Sequence, residues 1–141
     1  MFLFFLCAGC KNGNNNDDNT SENNVDAARN FIRAALDGNF RSAKDFMLKD
    51  STNLNYMDVV ERSYARTPDE VKAGYRTSAI HIHEVKELND TTTIVIYSNS
   101  YKNDHDTLRI VKQQEKWVVD FKYLYEHDSD SLFSKSSGSL K

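Results

Sequence analysis

Residues 91–125, TTTIVIYSNSYKNDHDTLRIVKQQEKWVVDFKYLY, decide the fold of this chain. Apolar and polar residues alternate along this stretch, and β-branched and aromatic side chains are dense, as in half-buried β-strands. Together with the alternating residues just before it, the stretch predicts strands at about 77–88, 92–101, 107–114 and 117–125. The turns between them are short, so the four strands should be antiparallel neighbours in a meander.

The last of these strands indicates which side of the sheet should face the core. Trp117, Val119 and Phe121 point to one side, with two tyrosines at the same spacing beyond them, and this predicts the core face. Asp120 alternates with these residues, so its side chain should point to the other side of the strand. We therefore expect Asp120 to face solvent or a partner.

Upstream of the strands, apolar residues recur at helical spacing. One stripe runs from Val25 to Leu36, and Asn23 or Asn24 can cap the helix that it predicts. Gly38 should end this helix, because a left-handed terminal residue favours glycine. Further helical segments are predicted at about 40–47, 54–64 and 68–74. Helices followed by a meander predict an α+β fold, with N-terminal helices packed on a curved four-stranded antiparallel sheet.

Two runs carry a family resemblance: VDAARNFIRAALDGNFRSAKDFM at residues 25–47 and EKWVVDF at residues 115–121. They resemble uncharacterised bacterial lipoproteins with a nuclear transport factor two-like, or cystatin-like, domain of unknown function. The resemblance covers about residues 25–126. It implies a cone in which a bent sheet wraps the helices, often with a pocket at the wide end and often dimeric through the sheet.

The first ten residues, MFLFFLCAGC, are apolar up to Cys10 and are followed at once by a polar tract. The motif LCAGC at residues 6–10 resembles a bacterial lipobox. That resemblance implies that residues 1–9 are a lipoprotein signal peptide and that Cys10 carries acyl chains such as palmitate. A redox or zinc role for the Cys7 and Cys10 pair lacks the necessary context. The structural alternative is an N-terminal strand or the start of a buried helix.

The segments on either side of the domain are polar. After Cys10, residues 11–24, KNGNNNDDNTSENN, contain no apolar residue, so residues 10–24 are predicted to be a lipidated cysteine and a disordered tether. Residues 25–126 form the domain, and residues 127–141 are predicted to be a flexible tail. The Asp17 and Asp18 pair resembles the acidic export signals of some Bacteroidota lipoproteins. We therefore expect a lipid-anchored protein of the bacterial cell envelope, at the periplasmic or surface face of the outer membrane.

Length and charge restrict the possible partners. A chain of 141 residues argues for one domain, and a formal net charge of -3 with scattered lysines and arginines argues against nucleic acid. The lipid membrane is the partner that acylated Cys10 implies.

With the cysteine pair set aside, two histidines form the remaining metal hypothesis. His81 and His83 lie two apart on a predicted strand and would share a face, but a metal needs a third ligand from a neighbouring strand. A solvated or interfacial strand face is the other interpretation. We expect no metal and no cofactor.

Three tyrosines, Tyr56, Tyr64 and Tyr97, are the predicted pocket residues, because a tyrosine supplies both an apolar surface and a hydrogen-bond donor. They can equally be core aromatics. The family resemblance favours a non-catalytic binding or accessory module, with a small apolar ligand or an envelope protein as partner. The alternative is an isomerase-like or dehydratase-like enzyme with a buried acid or histidine in the cone. The family resemblance assigns no catalytic residue to this sequence.

The second predicted strand is apolar on both faces. Ile94 and Ile96 point to one side, and Val95 and Tyr97 point to the other. Either a second copy of the chain covers the outer side, or a monomer exposes some apolar surface, as proteins commonly do. We favour the homodimer through the sheet.

Overall fold

A computed structural model describes residues 23–127. Four helices precede four strands: α1 (Asn24–Leu36), α2 (Phe40–Asp45), α3 (Ser51–Ala65), α4 (Asp69–Thr77), β1 (Ile80–Asn89), β2 (Thr92–Asn99), β3 (Asp106–Gln113) and β4 (Lys116–Asp120). The predicted α+β class, helices on a curved four-stranded antiparallel sheet, is confirmed. The predicted signal peptide, Cys10, most of the tether and the tail beyond residue 127 lie outside the described residues.

The strands pair in chain order, β1-β2-β3-β4, as a meander should. Val95 lies opposite Leu108, and Ile110 lies opposite Val119; all four side chains are fully buried on the face that the helices cover. The sheet is extended at its β4 edge, where Met47 forms a parallel bridge to Val119. The segment after α2 therefore protects this edge from pairing with another chain.

The end of β4 differs from the prediction. The strand stops at Asp120, and residues 123–127 form a helical turn instead of continuing the strand to 125. The Lys122 backbone N–H donates to the side-chain oxygen of Asn53 in α3 at 2.6 Å. The chain is thereby turned off the sheet, so Tyr123 and Tyr125 do not share one strand face.

Helix α1 forms the central contact with the sheet. The Asn23 side chain accepts a hydrogen bond from the Asp26 N–H at 2.8 Å and caps the helix, as its sequence predicts. Gly38, at a φ of +73°, ends it in the left-handed conformation that favours glycine. The buried face of α1 comprises Ala27, Ala28, Phe31, Ile32 and Ala34.

Helix α4 is attached differently, since it buries no side chain. The Arg33 guanidinium of α1 donates to the Ser78 carbonyl at 2.8 Å and to the Tyr75 and Arg76 carbonyls at 3.2 Å. These bonds attach the C-terminal end of α4 to α1, and at Tyr75 they add to the hydrogen bonds that the carbonyl already accepts from Ser78. Among the helices of residues 23–127, none has the length and apolar character that crossing a membrane requires.

The outer face of the sheet has an apolar centre. Ile94 and Ile96 of β2 are half-buried there, whereas Val95 and Tyr97 face the helices and are buried. The two-sided apolar pattern of β2 is thus present in the fold. A homodimer through this face stays a prediction.

Candidate ligand-binding cavity

A cavity of about 630 Å³ opens between the helices and the end of the sheet where β2 leads into β3. Its apolar wall comes from α1, α2, α3 and the segment after β4, and includes Phe31, Leu36, Phe40, Val60, Phe121 and Leu124. Side chains with hydroxyl, amide or charged groups line it too, and the charged ones all belong to the loop between β2 and β3 and to the first residue of β3. Apolar walls with a few polar groups are the usual composition of a small-molecule site.

Gly38 makes room for a tyrosine in the cavity wall. A Cβ atom at position 38 would lie 2.5 Å from the hydroxyl oxygen of Tyr64, so only glycine fits against this ring. The ring also packs edge-on against Phe40, with 5.2 Å between centroids. The Tyr64 hydroxyl is buried and has no hydrogen-bond partner among the described residues. A buried polar group without a partner costs about 1–3 kcal/mol.

Two further tyrosines in the wall lie close to an acidic side chain. Tyr97 of β2 is directly opposite Asp106 of β3 in the sheet register. Burial raises the pKa of Tyr97, and the Asp106 carboxylate raises it further. Burial and then the same carboxylate also raise the pKa of Tyr125. Both phenols therefore keep their protons at neutral pH and can donate hydrogen bonds.

The three tyrosines named from the sequence have different positions. Tyr64 and Tyr97 both line the cavity. Tyr56 is outside the lining, and its ring stacks on that of Tyr125 at a centroid distance of 4.8 Å, so it supports a lining residue from behind.

Asp106 and Tyr125 line the cavity but were missed in the sequence. The sequence did indicate where Asp106 points. Residues two apart on a strand share a face, so Asp106 lies on the same helix-covered face of β3 as Leu108 and Ile110. Tyr125 was assigned to a strand that ends earlier. Its position depends on the turn after β4.

The mouth of the cavity is bordered by the loop between β2 and β3. Tyr101 of this loop packs over Gly74 of α4, where a Cβ atom would lie 2.4 Å from the tyrosine ring. Tyr101 also contacts Tyr75 edge-on at 5.1 Å. The loop is thus held against α4, and it places Lys102 and Asp104 at the cavity.

Asp120 is not exposed, so the prediction that it faces solvent or a partner is wrong. Its carboxylate accepts hydrogen bonds from Lys122 Nζ at 2.7 Å, from Asn53 at 3.0 Å and from both Nε and Nη2 of Arg109. Burial alone would raise the pKa of Asp120, but the hydrogen bonds from Lys122, Asn53 and Arg109 outweigh it, and the pKa is lowered. The side chain of Asp120 does point away from the face that carries Val119, as the alternation predicts, but α3 and Lys122 cover this corner of the sheet.

The predicted histidine pair does not form a metal centre. A β-bulge between Ile82 and Glu84 interrupts the alternation, and His83 Nε2 lies 2.7 Å from the Ser98 hydroxyl. The His83 ring stacks on His105 with 4.0 Å between centroids. Within residues 23–127, no group of three or more His, Cys, Asp or Glu side chains is arranged to hold a metal ion.

Comparisons with protein-family models, curated proteins and solved structures returned no match. The fold and the cavity are therefore the observations from which a function can be argued.

Proposed function

We propose that this chain is a lipid-anchored protein of the bacterial cell envelope whose folded domain binds a small amphipathic molecule. The observation that carries the binding role is the cavity of about 630 Å³, whose size lies within the roughly 300–1,000 Å³ typical of ligand sites. Its wall contains the side chain of Tyr64, whose buried hydroxyl lacks a partner in the described protein. A ligand with an apolar body and a polar end would satisfy both parts of the wall.

The anchor part of the proposal is supported by the sequence of residues 1–10, where a lipobox-like motif ends at Cys10. An accessory role, in which the sheet contacts another envelope protein, is the alternative within the same class. An empty cavity in the native protein would favour that alternative.

Binding is favoured over catalysis by the positions of the carboxylates. A general base that removes a carbon-bound proton needs a raised pKa. Asp120, the most deeply buried acid of the described residues, lies outside the cavity lining, and its hydrogen bonds lower its pKa. An isomerase-like or dehydratase-like enzyme would have to use one of the acids that line the cavity, the exposed Asp104 or the half-buried Asp106.

The test is native mass spectrometry of the chain purified from its own host. We expect the mass of the protein plus one small molecule. Ala35 lines the cavity, so Ala35→Trp should fill it and release the molecule. Ala73→Trp, on an exposed position of α4, is the matched control and should retain it. Ligand-free wild-type protein, or equal retention in both variants, would refute binding in this cavity.

A further inference from the structure

The polar part of the cavity carries an excess of negative charge. Lys102, Asp104 and Asp106 are its charged lining residues. Lys102 and Asp104 are exposed and of opposite sign, so solvent screens them and their charges offset each other. Asp106 is half-buried, and its charge acts on the neighbouring phenols of Tyr97 and Tyr125. The field inside the cavity is therefore set mainly by one carboxylate.

Lys102, the lysine of the cavity lining, also contacts the aromatic ring of Tyr101. Lys102 Nζ lies 5.4 Å from the centre of the Tyr101 ring, in a cation–π arrangement. Tyr101 is 40% exposed and belongs to the mouth loop. This ammonium group is held at the mouth, where it has limited influence on the interior.

We propose that the cavity selects amphipathic molecules with a cationic head group, such as an alkylamine or a quaternary ammonium compound. This inference rests on the binding function proposed above and specifies its ligand class. The head group would lie beside the Asp106 carboxylate and the tyrosine rings, and the apolar body would lie along the wall that includes Phe31, Phe40 and Phe121.

Aromatic rings next to a carboxylate suit a cation for two reasons. A ring face attracts positive charge through its quadrupole, most strongly where water is excluded. The carboxylate supplies a full opposite charge in a partly desolvated site, where it is screened less than at the surface. Tyr97 and Tyr125 provide the rings and Asp106 provides the charge. An anionic head group of the same size would be repelled at the same place.

The test is isothermal titration of the full chain with three eight-carbon probes below their micellar concentrations: octyltrimethylammonium, octanoate and octanol. We expect the cation to bind at least tenfold more tightly than octanoate, with octanol between them. Asp106→Asn should reduce the difference between cation and anion to within about threefold and leave octanol binding unchanged. Asp90→Asn, which makes the same charge change in the exposed turn between β1 and β2, should keep the selectivity.

The outcomes separate this inference from the binding function itself. Equal affinities for the three probes, or a preference for octanoate, would overturn cation selectivity while leaving the cavity as a binding site. Failure of all three probes, octanol included, would refute both. If Asp106→Asn does not fold, salt provides the second measurement on the wild type. Rising ionic strength should then weaken octyltrimethylammonium binding and leave octanol unaffected, and a cation affinity that does not depend on salt would contradict the proposal.

Discussion

At the scale of single residues, Asp120 contributes to stability through a buried ion-pair network. Its side chain is 3% exposed, while those of its partners Arg109 and Lys122 are 34% and 23% exposed. Removing one member of a fully buried ion pair costs about 3–5 kcal/mol, because the partner is left uncompensated. Arg109 and Lys122 can regain some hydration, so we expect Asp120→Asn to lower the free energy of unfolding by about 2–3 kcal/mol at pH 7.

The same residue gives a pH dependence with a defined sign. The folded-state pKa of Asp120 is lowered from its usual 3.8, so its contribution to stability is complete above that value. It is lost as the pH falls through the lower, folded-state pKa. Urea unfolding should therefore give a constant difference between wild type and Asp120→Asn from pH 7 to about pH 5, and a shrinking one below about pH 4.

A matched variant controls for loss of charge alone. Asp58 is an exposed partner of Lys44 at 3.5 Å, and Asp58→Asn should cost less than about 1 kcal/mol. Equal losses for the two variants, or a difference that grows towards low pH, would contradict the role given to Asp120.

At the scale of the elements, α4 is held to α1 through a single side chain. It buries no residue, and Arg33 of α1 donates to three carbonyls at its end. We expect Arg33→Met to open α4 locally, by about 1–2 kcal/mol, with faster amide exchange at residues 69–77 and little change in β2 and β3. Arg33→Lys should rescue only part of this, because an ammonium group lacks the planar fork of donors.

The control for this element is Arg29→Met, on an exposed position of the same helix. It should leave exchange in α4 unchanged. Protection of α4 that is equal in the two methionine variants would show that Arg33 does not hold the helix.

Elements that local signals define were predicted well. The start of α1 follows from the Asn23 cap, and its end follows from Gly38, both of which act within a few residues. The end of β4 was missed because alternation continues in the sequence, while the bond that turns the chain joins Asn53 and Lys122, 69 residues apart. No local pattern encodes such a contact. Asp106 did have a local signal, since it alternates with Leu108 and Ile110, but its place in a cavity wall depends on residues of α1 and α3 that are distant in sequence.

At the scale of the whole molecule, the cavity lies along the C-terminal half of α1, from Phe31 to Leu36, and the domain starts at the other end of this helix. Asn24 donates to the Thr93 hydroxyl at 2.9 Å, so α1 begins beside the turn between β1 and β2. Leu36, at its other end, lines the cavity. A helix of 13 residues is about 20 Å long. In the proposed anchored protein, the segment that leads to Cys10 therefore enters the domain at the end of α1 that does not line the cavity.

That arrangement matters only if Cys10 is acylated, and the chain contains its own control. Both cysteines precede the domain, as Cys7 and Cys10, so replacing Cys7 is the control for replacing Cys10. We expect a fatty-acid probe fed to the host to label the wild type and Cys7→Ala equally, and to leave Cys10→Ala unlabelled. Two or more acyl chains hold a protein stably in a bilayer, because each buried methylene contributes about 0.8 kcal/mol. Cys10→Ala should therefore also leave the membrane fraction. Equal labelling of Cys10→Ala and wild type would remove the anchor, and the ligand would then have to be sought without reference to a membrane.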